Sequence, residues 1–225
     1  YWVSEPDRGQ SDAINKGFDR ATGEFGNWIN SDDLLAKDSL YNAARFLANA
    51  EPETLFIGEC ILTDKNRQKE KINTSSIRSF EELIDIQNYW RNGNSITQQN
   101  VFFDLKSFKD VGRLNVNNHY SMDYELWGDL LLNGINIEGL TFPVGIFRLY
   151  DGQKISNRLA TTNSLLNTAK KLVRKNQRWS LGKKLKLWIT LTKYQYNYCL
   201  RYLFGFSQNR IRIRKIKGQL LNSEH

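Results

Sequence analysis

The sequence has few of the residues that build disulfide-stapled or metal-clustered folds. Its 225 residues include two cysteines, Cys60 and Cys199, and two histidines, His119 and His225. Two cysteines cannot form a disulfide framework, and so few Cys and His residues also exclude a zinc site built from them. Three prolines and 15 glycines exclude collagen-like and proline-rich architectures. These absences favour a reduced, intracellular protein.

Long apolar runs are also absent. No run of about 18 uncharged apolar residues occurs, so the sequence predicts no transmembrane helix, and it shows no secretory signal pattern. Hydrophobic residues make up 40% and charged residues 25% of the chain, which is typical of a folded domain and excludes general disorder. Because Tyr1 lies inside what reads as a strand, we expect further sequence to precede it.

Charge is distributed unevenly between the two parts of the chain. Residues 1–150 contain 15 Lys and Arg against 22 Asp and Glu, whereas residues 151–225 contain 17 against 2. The formal net charge of +8 therefore hides an acidic body and a basic tail. Such asymmetry indicates that the tail meets an anionic partner.

Helical and strand-like patterns alternate along the acidic part. Strands are predicted at residues 1–3, 25–30, 54–63 and 135–150, with a loop entering another strand over 95–103. Helices are predicted at residues 11–21, 38–49, 80–90, 105–111 and 120–133, and the chain from about 163 onward is predicted to be helical. This alternation predicts an α/β fold with a mainly parallel sheet flanked by helices.

The sequence Asn30-Ser31-Asp32-Asp33 follows a predicted buried strand. Open α/β sheets bind ligands at the carboxyl ends of their strands, and carboxylates there suit Mg²⁺ or Mn²⁺ with phosphate oxygens as further ligands. The alternative is structural, because Asp32 or Asp33 could cap the next helix or form a turn.

A second acidic group begins the helix predicted at residues 120–133. Asp123 lies beside aromatic residues and could act as a general base in a partly desolvated cleft. Alternatively, Asp123 and Glu125 only complement the helix dipole in the first turn. A third group, from Ser4 to Gly17, has polar residues that could bind a nucleotide with Arg8 or Lys16 as counter-charge, although no Walker or GxGxxG glycine pattern is present.

The tail combines basic and aromatic residues. Lysines and arginines from Lys170 to Lys186 precede Trp188 and a run of tyrosines, and Arg210–Lys215 forms a second basic cluster. This composition suits a helical segment lying in an anionic membrane interface. The alternative is a helical pair that packs its aromatics on the body. Nucleic-acid binding is disfavoured, because the acidic body would repel a phosphate backbone.

Four stretches in order resemble family 2 glycosyltransferases with the GT-A fold, of the bacterial kind that build surface polysaccharides. They read WVSEPDRGQSDAINKGFDRATGEFGNWINSDD, TQQNVFFDLKSFKDVGRLN, YSMDYELW and FRLYDGQKIS. The resemblance covers about residues 1–155. It implies a GT-A domain over 1–155 that lacks its first strand-helix units, followed by a basic, aromatic-rich helical tail over 156–225.

The resemblance also implies an activity and a set of site residues. It implies inverting, hexosyltransferase-like transfer of a sugar from a nucleotide-sugar donor to the hydroxyl of a glycan or lipid-linked acceptor. The basic tail is expected to dock such an enzyme on the inner face of the plasma membrane. Asp32 and Asp33 match the residues that hold a divalent cation, and Asp123 matches the catalytic base. The matched substrate-binding residues are Asp12, Asn15, Lys16, Asp33, Gln98, Trp127 and Arg148.

Two positions depart from the family pattern. Asp129 stands where the family usually has Arg, and Tyr150 stands where it commonly has His. Two alternatives to the enzyme therefore remain. One is a non-catalytic or truncated relative that binds sugar nucleotides, and the other is a membrane-binding module that acts through the basic tail.

Overall fold

Helices and strands alternate along the computed structural model, which describes residues 2–64, 66, 70–150 and 152–203. In these residues the strands are β1 Phe25–Gly26, β2 Leu34–Leu35, β3 Thr54–Asp64, β4 Glu70–Asn73, β5 Val101–Asp104 and β6 Asn136–Leu149. The α-helices are α1 Gln10–Arg20, α2 Ser39–Leu47, α3 Phe80–Ile84, α4 Leu105–Asp110, α5 Met122–Leu132, α6 Arg158–Lys175 and α7 Leu181–Leu203. Short 3₁₀ turns lie at Trp90–Asn92, Gln98–Asn100 and Lys154–Ser156.

The strands form one mixed sheet in the order β1-β5-β3-β6-β2, with β4 also paired to β3. The long central strands β3 and β6 are parallel, whereas the other pairs in the described sheet are antiparallel. The α/β layering is as predicted, but the expectation of a mainly parallel sheet is corrected. Helix-strand alternation predicts the layers, whereas the direction of the short strands depends on how they join the sheet edges.

The sheet buries apolar side chains on both faces because successive residues of a strand point to opposite sides. Leu55 and Ile57 of β3 belong to the main hydrophobic cluster, together with side chains of α1, α4 and α5. Phe56 points the other way, into a smaller cluster with Ala43 of α2 and Val144 of β6. The sheet is therefore covered by helices on both sides.

The amino-terminal strands are shorter than predicted. Trp2 and Val3 are not in a strand, and Trp2 is 85% exposed, so the strand predicted at residues 1–3 is wrong. The segment predicted as a strand over residues 25–30 makes ladder pairs only at Phe25 and Gly26. Beyond Gly26 the side chain of Asn27 donates to the carbonyls of Gln99 and Val101. An apolar run shows that this segment is buried but cannot show which backbone groups have a strand partner.

The first tail helix shares the core of the body. Leu166, Ala169 and Leu172 of α6 are fully buried in the cluster that also contains Trp127 of α5. The division into residues 1–155 and 156–225 stays a prediction. The predicted basic cluster Arg210–Lys215 lies outside the described residues.

Alanine substitutions at two helical glycines with different surroundings test this packing. A Cβ at Gly128 in α5 would lie 2.3 Å from Cδ1 of the buried Leu172, whereas a Cβ at the exposed Gly17 in α1 would meet nothing within 4 Å. We expect Gly128→Ala to lower the free energy of unfolding by about 1–3 kcal/mol through overpacking. Gly17→Ala should raise it by roughly 0.5–1 kcal/mol through helix propensity.

Urea unfolding followed by circular dichroism measures both changes. Equal stabilities of the two variants would contradict the close packing of α6 on α5.

Candidate active site

The Asn30–Asp33 segment lies at the sheet edge where β6 ends. Leu34 in β2 pairs with Ile146 of β6, which brings the preceding Asp33 next to Arg148. The segment forms a turn closed by the bond from the Asp33 amide to the Asn30 carbonyl. Neither aspartate caps α2, which begins at Ser39. The structure thus agrees with a turn rather than with the helix-capping alternative.

Asp33 is a buried acceptor. Its Oδ2 accepts from Gln99 Nε2 at 2.6 Å and from Asn30 Nδ2 at 3.3 Å, and its Oδ1 accepts from the Arg148 amide at 3.4 Å. Burial raises the pKa of Asp33, although these hydrogen bonds oppose the shift. Glycine at position 145 of β6 makes room for Gln99, because a Cβ there would lie 2.4 Å from the Gln99 Cβ.

Asp32 faces outward and is held as a carboxylate. Its Oδ2 accepts from Gln153 Nε2 at 2.9 Å and from the Tyr150 hydroxyl at 3.1 Å, while its backbone carbonyl accepts from Arg148 Nε. Burial opposes ionisation, but the bonds from Gln153 and Tyr150 outweigh it and lower the pKa of Asp32. Tyr150, the departure from the family's usual His, therefore contacts the predicted metal ligand.

Of the two carboxylates in this turn, one, that of Asp32, is suited to bind a divalent cation. Mg²⁺ keeps several waters and commonly takes only one or two protein carboxylates together with substrate phosphates. Asp32 fits this role because none of the hydrogen bonds in the described chain uses its Oδ1. Asp33 fits less well, since both of its oxygens already accept hydrogen bonds. No three His, Cys, Asp or Glu residues of the described chain form a metal-binding group.

An amide network positions Asn30 behind this turn. Gln98 Oε1 accepts from Asn30 Nδ2 at 2.9 Å, and Gln10 Nε2 donates to Asn30 Oδ1 at 2.8 Å. Gln98 is buried and its Nε2 donates to the Trp28 carbonyl. The structure therefore places Gln98 beneath the site, where it orients Asn30.

Asp123 is the second residue of α5 and is half-buried. Its Oδ1 accepts from the Tyr124 amide at 2.7 Å. Burial raises the pKa of Asp123, and the positive charge of Lys154 opposes that rise. A half-buried carboxylate with a raised pKa is a stronger base than one in water and still has access to solvent.

One short turn connects the surroundings of the two aspartates. Gln153 contacts Asp32, and the next residue, Lys154, exerts its charge on Asp123. Lys154 Nζ also donates to Gln10 Oε1 at 2.7 Å, and Gln10 in turn holds Asn30. Asp32 and Asp123 therefore border the same region, although 91 positions separate them in the sequence.

The donor-side residues predicted on α1 are engaged with neighbouring loops. Asp12 accepts from the amide and the guanidinium of Arg8 at 3.0 and 2.9 Å. Asn15 bonds both backbone groups of Leu114, at 2.8 and 3.1 Å. Lys16 Nζ donates to the Pro6 carbonyl at 2.7 Å. In this structure all three tie α1 to the loops on either side of it.

Trp127 lies in the core rather than on the cleft surface. Its side chain is fully buried and stacks on Trp28, with ring centroids 5.7 Å apart. Neither indole N–H has a hydrogen-bond partner in the described chain. The stack joins the segment that leads to Asp32 with the helix that carries Asp123. Sequence reasoning found Trp127 but not its burial, which depends on Trp28 from a distant segment.

Two acidic residues of α5 form ion pairs with lysines of α6. Glu125 is buried and accepts from Lys171 and, at 2.7 Å, from Asn118 Nδ2. Asp129, the second departure from the family pattern, pairs with Lys175 at 2.7 Å.

The individual roles of Gln10, Gln99, Gln153 and Lys154 were not predicted. The only signal for them was their position within the resembling segments.

The family comparison agrees with the motif resemblance. The family model described as "Glycosyl transferase family group 2" matches residues 27–217. No curated protein matches the chain.

Solved structures share the fold at low identity. The structure titled "Crystal structure of S. aureus TarS 1-349" has a TM-score of 0.57 and 11% identity, and the match covers 88% of this chain and 54% of that one. The same S. aureus fragment "in complex with UDP" has a TM-score of 0.59 and 13% identity, covering 89% and 55%. The chain thus spans about half the length of these structures. The prediction of a GT-A-like α/β fold is confirmed.

The Glu125 network generates a prediction for pH-dependent stability. Burial by itself would raise the pKa of Glu125. The hydrogen bonds from Lys171, Asn118 and Asn115 outweigh this effect and hold the pKa below the ordinary value of 4.5. A carboxyl group whose pKa is lower in the folded state stabilises the fold above its unfolded pKa and loses that contribution as the pH falls through the folded pKa. The free energy of unfolding of the wild type should therefore decrease as the pH is lowered below about 4.5.

We expect Glu125→Gln to be less stable than wild type by about 1–3 kcal/mol at pH 7 and to show a flatter decline on acidification. The matched control is Asp129→Asn, whose side chain is 18% exposed against 5% for Glu125 and should matter less. Urea unfolding from pH 3 to 7 measures these differences. Parallel pH curves for wild type and Glu125→Gln would contradict the interpretation.

Proposed function

Because the chain belongs to glycosyl transferase family group 2, we propose that it transfers a sugar, with inversion, from a nucleotide-sugar donor to an acceptor hydroxyl in the synthesis of surface polysaccharide or glycolipid. One observation carries the proposal. Asp32 is held as an outward-facing carboxylate, and Asp123 is half-buried at the start of α5. Both lie beside the turn at Gln153 and Lys154, since Gln153 bonds Asp32 and the charge of Lys154 acts on Asp123.

The donor is proposed to bind at the Asn30–Asp33 turn. A structurally similar protein was solved with UDP, which supports a nucleoside diphosphate as part of the ligand. Asp32 would hold the divalent cation, and that cation would neutralise negative charge on the departing nucleoside diphosphate. Arg148 lies directly beside Asp32 and is proposed to contact donor phosphates.

The other proposed substrate-binding residues divide into two groups. Asp12, Asn15 and Lys16 are proposed to shape the donor side through the loops that they hold. Asp33, Gln98 and Trp127 are buried, so we propose that they position Asp32 and Asp123 rather than touch the sugar.

Asp123 is proposed as the general base. It would accept the proton of the acceptor hydroxyl as that oxygen attacks the anomeric carbon from the face opposite the leaving group. The bond from the anomeric carbon to the diphosphate breaks, and its electron pair leaves with the nucleoside diphosphate. A single displacement of this kind inverts the configuration. Partial burial favours the role because it raises the pKa of Asp123 and strengthens the base.

Replacing Asp123 by Asn tests this assignment in the full-length protein. We expect kcat to fall about 10²–10⁴-fold because the amide cannot accept the proton, with little change in donor affinity. The control is Asp110→Asn, which removes an exposed acid that pairs with Lys106 on α4.

Transfer can be followed by release of nucleoside diphosphate in the presence of Mn²⁺. An unchanged kcat for Asp123→Asn would refute the base assignment. Donor binding without any transfer by the wild type would favour a non-catalytic, sugar-nucleotide-binding relative.

We also propose that the enzyme works against the cytoplasmic face of the plasma membrane through α7. In the described part of the chain, no helix has both the length and the apolar character that crossing a membrane requires. The inner face of α7 packs on the body through Leu191 and Tyr198, as the helical-pair alternative predicts.

The opposite side of α7 carries a second apolar face, which we call the outer stripe. Its members recur at intervals of four to seven residues and are exposed, Leu181 by 84%, Leu185 by 60% and Tyr196 by 63%. The outer stripe consists of Leu181, Leu185, Ile189, Tyr196 and Leu203. Lys186 and Lys193 flank it and would each add about 1 kcal/mol of attraction to an anionic surface. An apolar stripe bordered by lysines suits an interfacial helix.

Flotation with vesicles tests the outer stripe. We expect the triple variant Leu185→Ser, Ile189→Ser, Tyr196→Ser to bind phosphatidylglycerol-containing vesicles at least about tenfold more weakly, because each buried apolar side chain contributes about 1.5–3 kcal/mol. The control Thr190→Ser, Asn197→Ser changes neighbouring polar positions of the same helix. Equal flotation of the two variants, or no flotation of the wild type, would refute membrane docking through α7.

A further inference from the structure

Lys154 carries a positive charge that neutral groups of the described chain solvate without forming an ion pair. It begins the 3₁₀ turn after β6, and its Nζ donates to Gln10 Oε1 at 2.7 Å and to the His119 carbonyl at 3.1 Å. Both acceptors are neutral. Among the described residues no carboxylate forms an ion pair with this ammonium, although Asp123 attracts it from further away. Because an ammonium has three N–H groups, one remains for a ligand.

The position of Lys154 complements that of Arg148 around Asp32. Arg148 bonds the Asp32 carbonyl, and Gln153, immediately before Lys154, bonds the Asp32 carboxylate. Arg148 therefore precedes Gln153 in the chain and Lys154 follows it, while Gln153 itself contacts the Asp32 carboxylate. A diphosphate carries negative charge on two adjacent phosphates, so a site with two cations near Asp32 suits it.

The turn that carries Lys154 is held in place before any ligand binds. Gln153 Nε2 donates to the Arg148 carbonyl at 2.8 Å, and Gln153 Oε1 accepts from the Tyr150 amide at 3.2 Å. Downstream, the Lys154 carbonyl accepts from the Asn157 amide at 3.1 Å, next to the start of α6. The two contacts of Nζ tether the side chain further, so less ordering is needed on binding than for a free surface lysine.

We propose that Lys154 binds the diphosphate of the donor, with its remaining N–H group donating to a phosphate oxygen. This inference rests on the proposed function. As the bond to the anomeric carbon breaks, negative charge grows on the leaving diphosphate, and the hydrogen bond from Lys154 strengthens with it. Lys154 therefore contributes to donor affinity and to the rate of transfer.

Calorimetric titration of the full-length protein with UDP, GDP, ADP, CDP and dTDP, each with Mn²⁺ and with EDTA, tests the contact. For the diphosphate that the wild type binds, we expect Lys154→Gln to weaken binding about tenfold in both conditions, the loss of one charge-assisted hydrogen bond. Lys154→Arg keeps the charge and should retain most of the affinity. The matched control is Lys106→Gln, which removes an exposed lysine of α4.

The outcomes separate this inference from the proposed function. If the wild type binds one of the five nucleotides and Lys154→Gln binds it equally well, Lys154 does not contact the diphosphate, and the proposed transferase still stands. A change only in the pH profile of kcat would also overturn the contact and assign Lys154 to Asp123. If the wild type binds none of the five nucleotides, both proposals fail.

Discussion

The parallel pairing of β3 with β6 is the constraint on which the candidate site depends. It runs from Thr54 opposite Asn136 to Asp64 opposite Leu149, so it fixes where β6 ends. Arg148 and Tyr150 at that end, and Gln153 just beyond it, therefore meet the Asn30–Asp33 turn, which is attached to the same strand through β2. A shift of one residue would turn Arg148 to the other face of the sheet and remove its bonds to Asp32 and Asp33.

A second link joins the two aspartates through the core. Trp28 precedes the Asp32 turn, Trp127 follows Asp123 by one turn of α5, and the two rings stack in the interior. Because interiors are packed at high density, we expect a movement of α5 to be transmitted through Trp28 to the segment that precedes the Asp32 turn. The aromatic packing in the core and the turn at Gln153 and Lys154 thus both hold the site in place.

The basic helices of the tail have two different relations to this body. The apolar side of α6 completes the core, and its lysines neutralise Glu125 and Asp129 on α5, which accounts for the acidic residue at a position where the family usually has Arg. α7 uses one face for the same core and leaves another apolar face outside. Basic residues in the tail therefore serve two purposes, holding α5 in place and, as we propose, meeting an anionic surface.

Local patterns in the sequence were sufficient for the helices α1, α2, α4 and α5 and for the long strand β3, because periodicity and turn residues act over a few positions. The assignment of Asp32 and Asp123 to one site rests instead on the resemblance to family 2 glycosyltransferases. Local patterns could not separate the half-buried Asp32 from the buried Asp33, because the difference depends on partners such as Gln99 and Gln153 that come from elsewhere in the chain. Nor could they show that Trp127 is enclosed by Trp28, or that most strand pairs are antiparallel. Burial, hydrogen-bond partners and strand direction depend on residues far apart in the chain, so only the tertiary structure decided them.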